Sequence, residues 1–193
     1  MVQVGQPAPH FKGDAVFNGE FKEISLSDFK GKWLVFFFYP LDFTFVCPTE
    51  ILAFNDQYEK FKTAGAEIVG CSVDSKHTHR AWQALSPKDG GLGKLKFPLL
   101  ADITKDVARD YGVLLPSGIA LRGLFLINPE GKIEAQTVHN LDVGRNVDEV
   151  LRVLDGFQTA KTSGEVCPAN WTKGKSTMKA TPDGVKTYLG STR

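Results

Sequence analysis

Cysteine is scarce: three in 193 residues, Cys47, Cys71 and Cys167. They form no C-x-x-C pair and no zinc-finger spacing, which removes the usual zinc and dithiol motifs. A disulfide scaffold would be smaller and richer in cysteine, so a cytoplasmic setting with free thiols is expected. Net charge is also nearly absent, at +1, which gives no reason to expect nucleic acid or an anionic membrane as partner. No apolar run approaches ~20 residues, so no transmembrane helix is expected. The opening MVQVGQPAPHF has neither a basic flank nor a long apolar stretch, so no secretory signal is expected either. Asn170-Trp171-Thr172 is therefore read as an unused glycosylation sequon. Histidine is limited to His10, His77, His79 and His139, and no third ligand accompanies the His77/His79 pair. No metal site is expected. Gly91-Leu92-Gly93-Lys94 lacks the rest of a phosphate-binding loop, and no cofactor is expected.

The hydrophobic share of 42% is ordinary for a globular chain. Asn18-Gly19 between short alternating stretches predicts a hairpin. Trp33 to Tyr39 (WLVFFFY) predicts a central strand covered on both faces and ended by Pro40. Residues 48–64 have a helical pattern, with Ile51, Phe54, Tyr58 and Phe61 on one side as core. Next come a strand over Ala66–Val73, a helix over 76–85, a short strand over Phe97–Leu100 and a short helix over 104–111. Leu121–Ile127 and Ile133–His139 are strands joined at Asn128–Gly131, and 146–160 is an amphipathic helix. The alternation predicts an α/β domain over 1–160 with a mixed central sheet flanked by helices. Beyond it six Lys or Arg stand against two Asp or Glu, which reads as a C-terminal arm over 161–193 that packs on something else, with Trp171 fixing it.

Cys47 lies just after the buried strand and just before a helix. As N-cap, with Pro48 at N1 and Glu50 at N3 reaching back to the cap amide, its sulfur would face the positive helix end. An ordinary thiol, with pKa about 8.5, is about 3% thiolate at neutral pH. A drop to about 6 makes it roughly 90% thiolate. A cation would add to the effect. Arg122, at the start of an apolar strand, either snorkels to solvent or finds such a partner. Cys71, inside the apolar run Ile68-Val69-Gly70-Cys71, reads as a core residue.

The run Pro40-Leu41-Asp42-Phe43-Thr44-Phe45-Val46-Cys47-Pro48-Thr49-Glu50 resembles the P-x-x-x-T-x-x-C signature of the peroxiredoxins. Ser72-Val73-Asp74-Ser75, Gly90–Gly93, Gly123-Leu124-Phe125, Val143-Gly144-Arg145 and Gly164-Glu165-Val166-Cys167-Pro168 extend the resemblance in order, to the typical two-cysteine group that includes AhpC and the thioredoxin peroxidases. That resemblance implies a thioredoxin-like fold and a thiol peroxidase acting on hydrogen peroxide and organic hydroperoxides. It implies Cys47 as nucleophile, Thr44 bonding the peroxide and the thiolate, and Pro40 shielding the thiolate. Arg122 would stabilise developing charge, with Glu50 orienting Arg122 and Arg145 extending the network. Cys167 would resolve the sulfenic acid as an intersubunit disulfide, recycled by thioredoxin or a comparable dithiol protein. A homodimer assembling to a decamer is implied, with Leu41–Phe45 and residues 76–82 near the dimer–dimer contact. Tyr188-Leu189 stands where the family has Tyr-Phe, so intermediate sensitivity to overoxidation is expected. Two other readings compete. A general disulfide oxidoreductase would want C-x-x-C, but the second position here is Glu50. A non-catalytic holdase or scaffold is the other, since the family resembles ring-forming proteins that can act as chaperones.

Overall fold

The structure, a computed structural model, describes residues 2–192. Two compact units divide after Val147. The first holds one seven-stranded mixed sheet: β1 (Lys12–Phe17), β2 (Glu20–Ser25), β3 (Trp33–Phe38), β4 (Ala66–Ser72), β5 (Leu99–Ala101), β6 (Arg122–Ile127) and β7 (Ile133–His139), in the order β2-β1-β5-β4-β3-β6-β7. Asn18 and Gly19 take φ of 55° and 79°, the left-handed pair that a tight hairpin turn needs between β1 and β2.

All six residues of β3 are buried, as a run without polar positions requires of a strand covered on both faces. Its side chains alternate. Leu34, Phe36 and Phe38 enter one core, where Phe36 stacks on Phe11 at 4.5 Å and meets Tyr111 edge-on at 5.0 Å. Phe37 points to the other face and stacks on Phe54 at 4.6 Å. Phe54 belongs to α1 (Cys47–Asp56), the next helix after β3. The expected single helix over 48–64 is two: the chain leaves helical geometry at Gln57 (φ −94°, ψ 3°) and resumes as α2 (Tyr58–Thr63). The Gln57 carbonyl accepts from Lys60 and Phe61, so it restarts the helix with little change of phase, and the stripe Ile51, Phe54, Phe61 stays buried. Helices α3 (Lys76–Ala84) and α4 (Asp106–Asp110) complete the unit.

Sheet topology places the site. β4 runs parallel to β3, while β6 runs antiparallel with Phe37 opposite Leu124. The antiparallel register brings Arg122, the first residue of β6, to the carboxyl end of β3, where α1 begins. β7 pairs antiparallel with β6, His139 opposite Arg122, so the segment after β7 is delivered to the same end. Strand carboxyl ends are where α/β sheets place their sites.

The second unit contains nearly all of α5 (Val147–Ser163), a two-residue bridge between Val166 and Met178, and α6 (Pro182–Thr192). The division thus precedes the change of composition near residue 160, because α5 packs with the 164–175 segment. Arg152 donates to the Trp171 carbonyl at 2.8 Å and Lys173 reaches Asp155 at 2.7 Å. Trp171 is buried, as its expected packing role requires. No helix among the described residues is long and apolar enough to cross a membrane.

Candidate active site

Cys47, Glu50, Arg122 and Arg145 form one buried cluster in the first unit. Arg122 Nη1 donates to Glu50 Oε2 at 2.7 Å and to Cys47 Sγ at 3.4 Å. Its Nε donates to the Leu141 carbonyl at 2.8 Å, which fixes the plane of the guanidinium. Glu50 Oε1 accepts from both the backbone N–H of Arg145 (2.8 Å) and its Nε (2.7 Å). Arg145 Nη1 donates to the Gly123 carbonyl at 2.7 Å, and its guanidinium lies 5.2 Å from the Phe37 ring centre, against the π face. Burial lowers the Arg145 guanidinium and Glu50 opposes that shift. Arg122 does not snorkel: it is 3% exposed.

Helix α1 begins differently from the sequence expectation. Val46, already helical at φ −80° and ψ −34°, precedes it, so Cys47 is the first helical residue rather than the cap. Thr49 and Glu50 N–H groups both reach the Val46 carbonyl, at 3.1 and 3.3 Å. Glu50 makes no capping bond. A buried carboxylate gains more from two guanidinium groups than from one amide, and it turns toward them. Thr44 Oγ1 donates to the Leu41 carbonyl at 2.8 Å, and Pro40 is buried directly after Tyr39. Cys47 is itself fully covered. Cys167 lies in the second unit, half-buried, with its thiol donating to the Gly156 carbonyl at 3.5 Å. All three cysteines are free. Burial raises the Cys71 thiol well above its ordinary range, as befits a core residue.

Three contributors have no role in the expectations drawn from sequence, although two of them, Gly123 and Gly144, lie in stretches that carry the family resemblance. The Leu141 and Gly123 carbonyls act through backbone, which residue type does not reveal. Gly144 leaves room that a side chain would fill: an added Cβ would lie 3.2 Å from Val46 Cγ1 and 3.4 Å from Glu50 Cγ. A second polar cluster holds the 40–46 loop. Tyr39 donates to Asp42 Oδ1 at 2.8 Å, and Asp42 Oδ2 lies 2.7 Å from His79 Nδ1, both side chains fully buried. The Asp42 N–H donates to Asp74, which also accepts from Ser72. An aspartate in an apolar stretch, and a histidine three residues before a buried tryptophan, were the available signals.

The geometry has counterparts among known proteins. Residues 4–136 match the AhpC/TSA family, and residues 156–191 match the C-terminal domain of 1-Cys peroxiredoxin. The chain belongs to the AhpC/TSA family of peroxiredoxins. This peroxiredoxin is 59% identical over 187 residues to the mitochondrial thioredoxin-dependent peroxide reductase of Rattus norvegicus, covering 96% of the chain and 73% of the relative. It is 55% identical to Peroxiredoxin-2 of Rattus norvegicus, covering 96% and 94%. A reduced 2-Cys peroxiredoxin of Plasmodium vivax superposes with a TM-score of 0.95 at 47% identity, over 97% of this chain and 98% of that one. The fold is the thioredoxin-like α/β fold of this family.

Proposed function

We propose that this peroxiredoxin reduces hydrogen peroxide and organic hydroperoxides through Cys47 and is recycled by thioredoxin or a comparable dithiol protein. One observation carries the reading. The buried cluster contains two guanidinium groups and one carboxylate, so it holds one excess positive charge while Cys47 is a thiol. A thiolate neutralises it, and buried charges persist only when paired.

The thiolate attacks one peroxide oxygen; the O–O bond breaks and the other oxygen leaves as hydroxide or alkoxide, which takes up a proton. Cys47 is left as a sulfenic acid. Arg122, already donating to the sulfur, stabilises the charge that develops on the departing oxygen. Thr44 spends its proton on Leu41, so in this arrangement it does not also donate to the thiolate as the resemblance implies, and its lone pairs are left to accept from the peroxide O–H. Pro40 helps to exclude water from the sulfur. Cys167 of the arm then condenses with the sulfenic acid of a second copy and releases water. Dimers assemble to a decamer in this reading. A cytoplasmic setting is proposed, although several relatives are named mitochondrial; fractionation of cells producing the chain decides it.

Peroxide consumption with thioredoxin and its reductase tests the reading. Cys47→Ser is expected to abolish turnover, and Cys167→Ser to allow one oxidation of Cys47 without thioredoxin-driven turnover. On a non-reducing gel, one equivalent of hydrogen peroxide should give a dimer band that needs both cysteines. Sustained turnover by Cys47→Ser overturns the reading, and an unaltered chain that consumes no peroxide would point to the holdase or general oxidoreductase instead.

A further inference from the structure

Arg80, Gln83 and Ala84 stand at i, i+3 and i+4 on α3 and share one side of that helix. The loop that follows folds back on the helix end. The Leu92 N–H donates to the Trp82 carbonyl at 3.1 Å, the Gly93 N–H to the Leu85 carbonyl at 2.9 Å, and Trp82 Nε1 to the Gly90 carbonyl at 2.8 Å. These bonds set Lys94 beside the same side of α3. With the Asn18–Gly19 turn of the β1–β2 hairpin, these residues line a cavity of about 370 Å³. That size lies toward the small end of the range for small-molecule sites, about 300–1,000 Å³. Trp82, whose ring meets Phe43, lies two residues on from Arg80, about 200° round the helix, so the cavity faces away from that contact.

The lining carries two cations and no carboxylate. Arg80 rests its guanidinium 4.3 Å from the centre of the Phe21 ring, which engages its flat face and leaves the N–H edge unspent. Among the described residues, neither Arg80 nor Lys94 has a hydrogen-bond or ion-pair partner. Gln83 is only 9% exposed, and its Nε2 is fully covered without a hydrogen-bond partner. Orphaned buried donors are rare because they lose their hydration and gain nothing in return. The last-turn carbonyls of α3 would repel an anion if they were free. The Trp82 carbonyl is spent, accepting from both Leu85 and Leu92.

We propose that this cavity is an anion site that takes a phosphate group, free or carried on a small ester, held by Arg80, Lys94 and the Gln83 amide. Three side chains with donors to spare converge there, two of them charged, and a phosphate group presents several acceptor oxygens in different directions. Charged donors to such oxygens give the stronger class of hydrogen bond. The terminal torsion of glutamine is soft, so a turn of the Gln83 amide brings its unspent N–H groups onto an oxygen seated in the cavity. None of these residues belongs to the Cys47 cluster, so the site stands apart from the peroxidase reading.

Equilibrium dialysis of the reduced full-length protein against radiolabelled inorganic phosphate, with ionic strength held constant by sodium chloride, measures the binding. Uptake should saturate. The double variant Arg80→Gln/Lys94→Gln should bind at least about tenfold more weakly, the cost of losing charged donors. Gln83→Leu keeps the bulk of the side chain and loses the amide, and should bind about three- to tenfold more weakly. Both should consume peroxide as the unaltered chain does, so the loss reports this cavity and not the Arg122–Arg145 cluster. Displacement of the label by adenosine 5′-phosphate at a lower concentration than by unlabelled phosphate assigns the site to phosphate esters; the reverse order assigns it to the free ion. Uptake that never saturates overturns the proposal, as does a double variant that binds like the unaltered chain. Unchanged binding by Gln83→Leu overturns it too, because the covered amide then takes no part and the two cations form only a diffuse basic surface.

Discussion

At the scale of single residues, the site is an arrangement of charge. Glu50 lies between two guanidinium groups, and Arg122 is shared between that carboxylate and a sulfur. The sequence showed the members but not how they combine. Glu50 three residues after Cys47 reads as a helix cap, because local spacing is all that a sequence displays. Its partners come from β6 and from the segment after β7, and only the antiparallel register brings them near. Arg122 could not be separated from a snorkelling arginine for the same reason. The resemblance to the peroxiredoxins implies that Glu50 orients Arg122 with Arg145 beside it, and in the structure Glu50 contacts both guanidinium groups. Replacing Arg122 with Gln should slow oxidation of Cys47 by about 10²-fold, the cost of losing one preorganised donor to developing charge. Lys at this position keeps a charge but cannot serve Leu141, Glu50 and Cys47 together, and should fall between. Rapid-mixing measurement of the first oxidation checks this. A rate within twofold of wild type for the Gln variant would show that Arg122 does not act on the reacting atoms.

At the scale of elements, β3 and α1 were legible because burial on both faces and a 3.6-residue stripe leave plain marks. The link between them was not. The 40–46 loop owes its conformation to the Tyr39–Asp42–His79 cluster, whose members come from a strand end, a loop and α3. His79 Nε2 faces the Leu100 carbonyl at 3.2 Å, so that nitrogen carries a proton, and a further proton lies between Nδ1 and Asp42. Burial raises the Asp42 carboxyl, and His79 is the chief group opposing that shift. In His79→Phe the carboxyl should therefore rise further. With its folded value above the unfolded one, the native state binds the proton more tightly. The stabilising contribution is then full in acid, below the ordinary value of 3.8, and is lost as pH rises through the raised value. The variant should be about 3 kcal/mol less stable than wild type at pH 7, as for a buried pair stripped of one partner. The deficit should shrink toward about pH 4 as the aspartate is protonated. Urea titrations at both pH values measure it, and a deficit independent of pH would show that Asp42 is not the affected group.

At the scale of the whole molecule, two aromatic side chains beside the site have no place in the core of a single chain. Phe45 is 92% exposed and Phe43 51%. Phe43 also holds a left-handed backbone at φ 54°, a strain of about 1–3 kcal/mol for a bulky residue, which persists only where surroundings enforce it. Its ring rests 5.5 Å from that of Trp82 on α3, which joins the loop and the helix into one surface. These are the segments, Leu41–Phe45 and 76–82, that the resemblance places at the contact between dimers. Burying two phenylalanine rings in each contact would contribute about 1.5–3 kcal/mol per fully covered ring. Repeated around a closed ring, that is enough to shift assembly at micromolar concentration. The double variant Phe43→Ala/Phe45→Ala should therefore sediment as a dimer at low micromolar concentration, where the proposed assembly predicts a larger closed species for the unaltered chain. Asp42 keeps its bonds to Tyr39 and His79 in that variant, so a fall in mass would report the lost contact rather than a disordered loop. A sedimentation profile unchanged from the unaltered chain would remove this surface from the assembly and leave the exposure of Phe45 without a role.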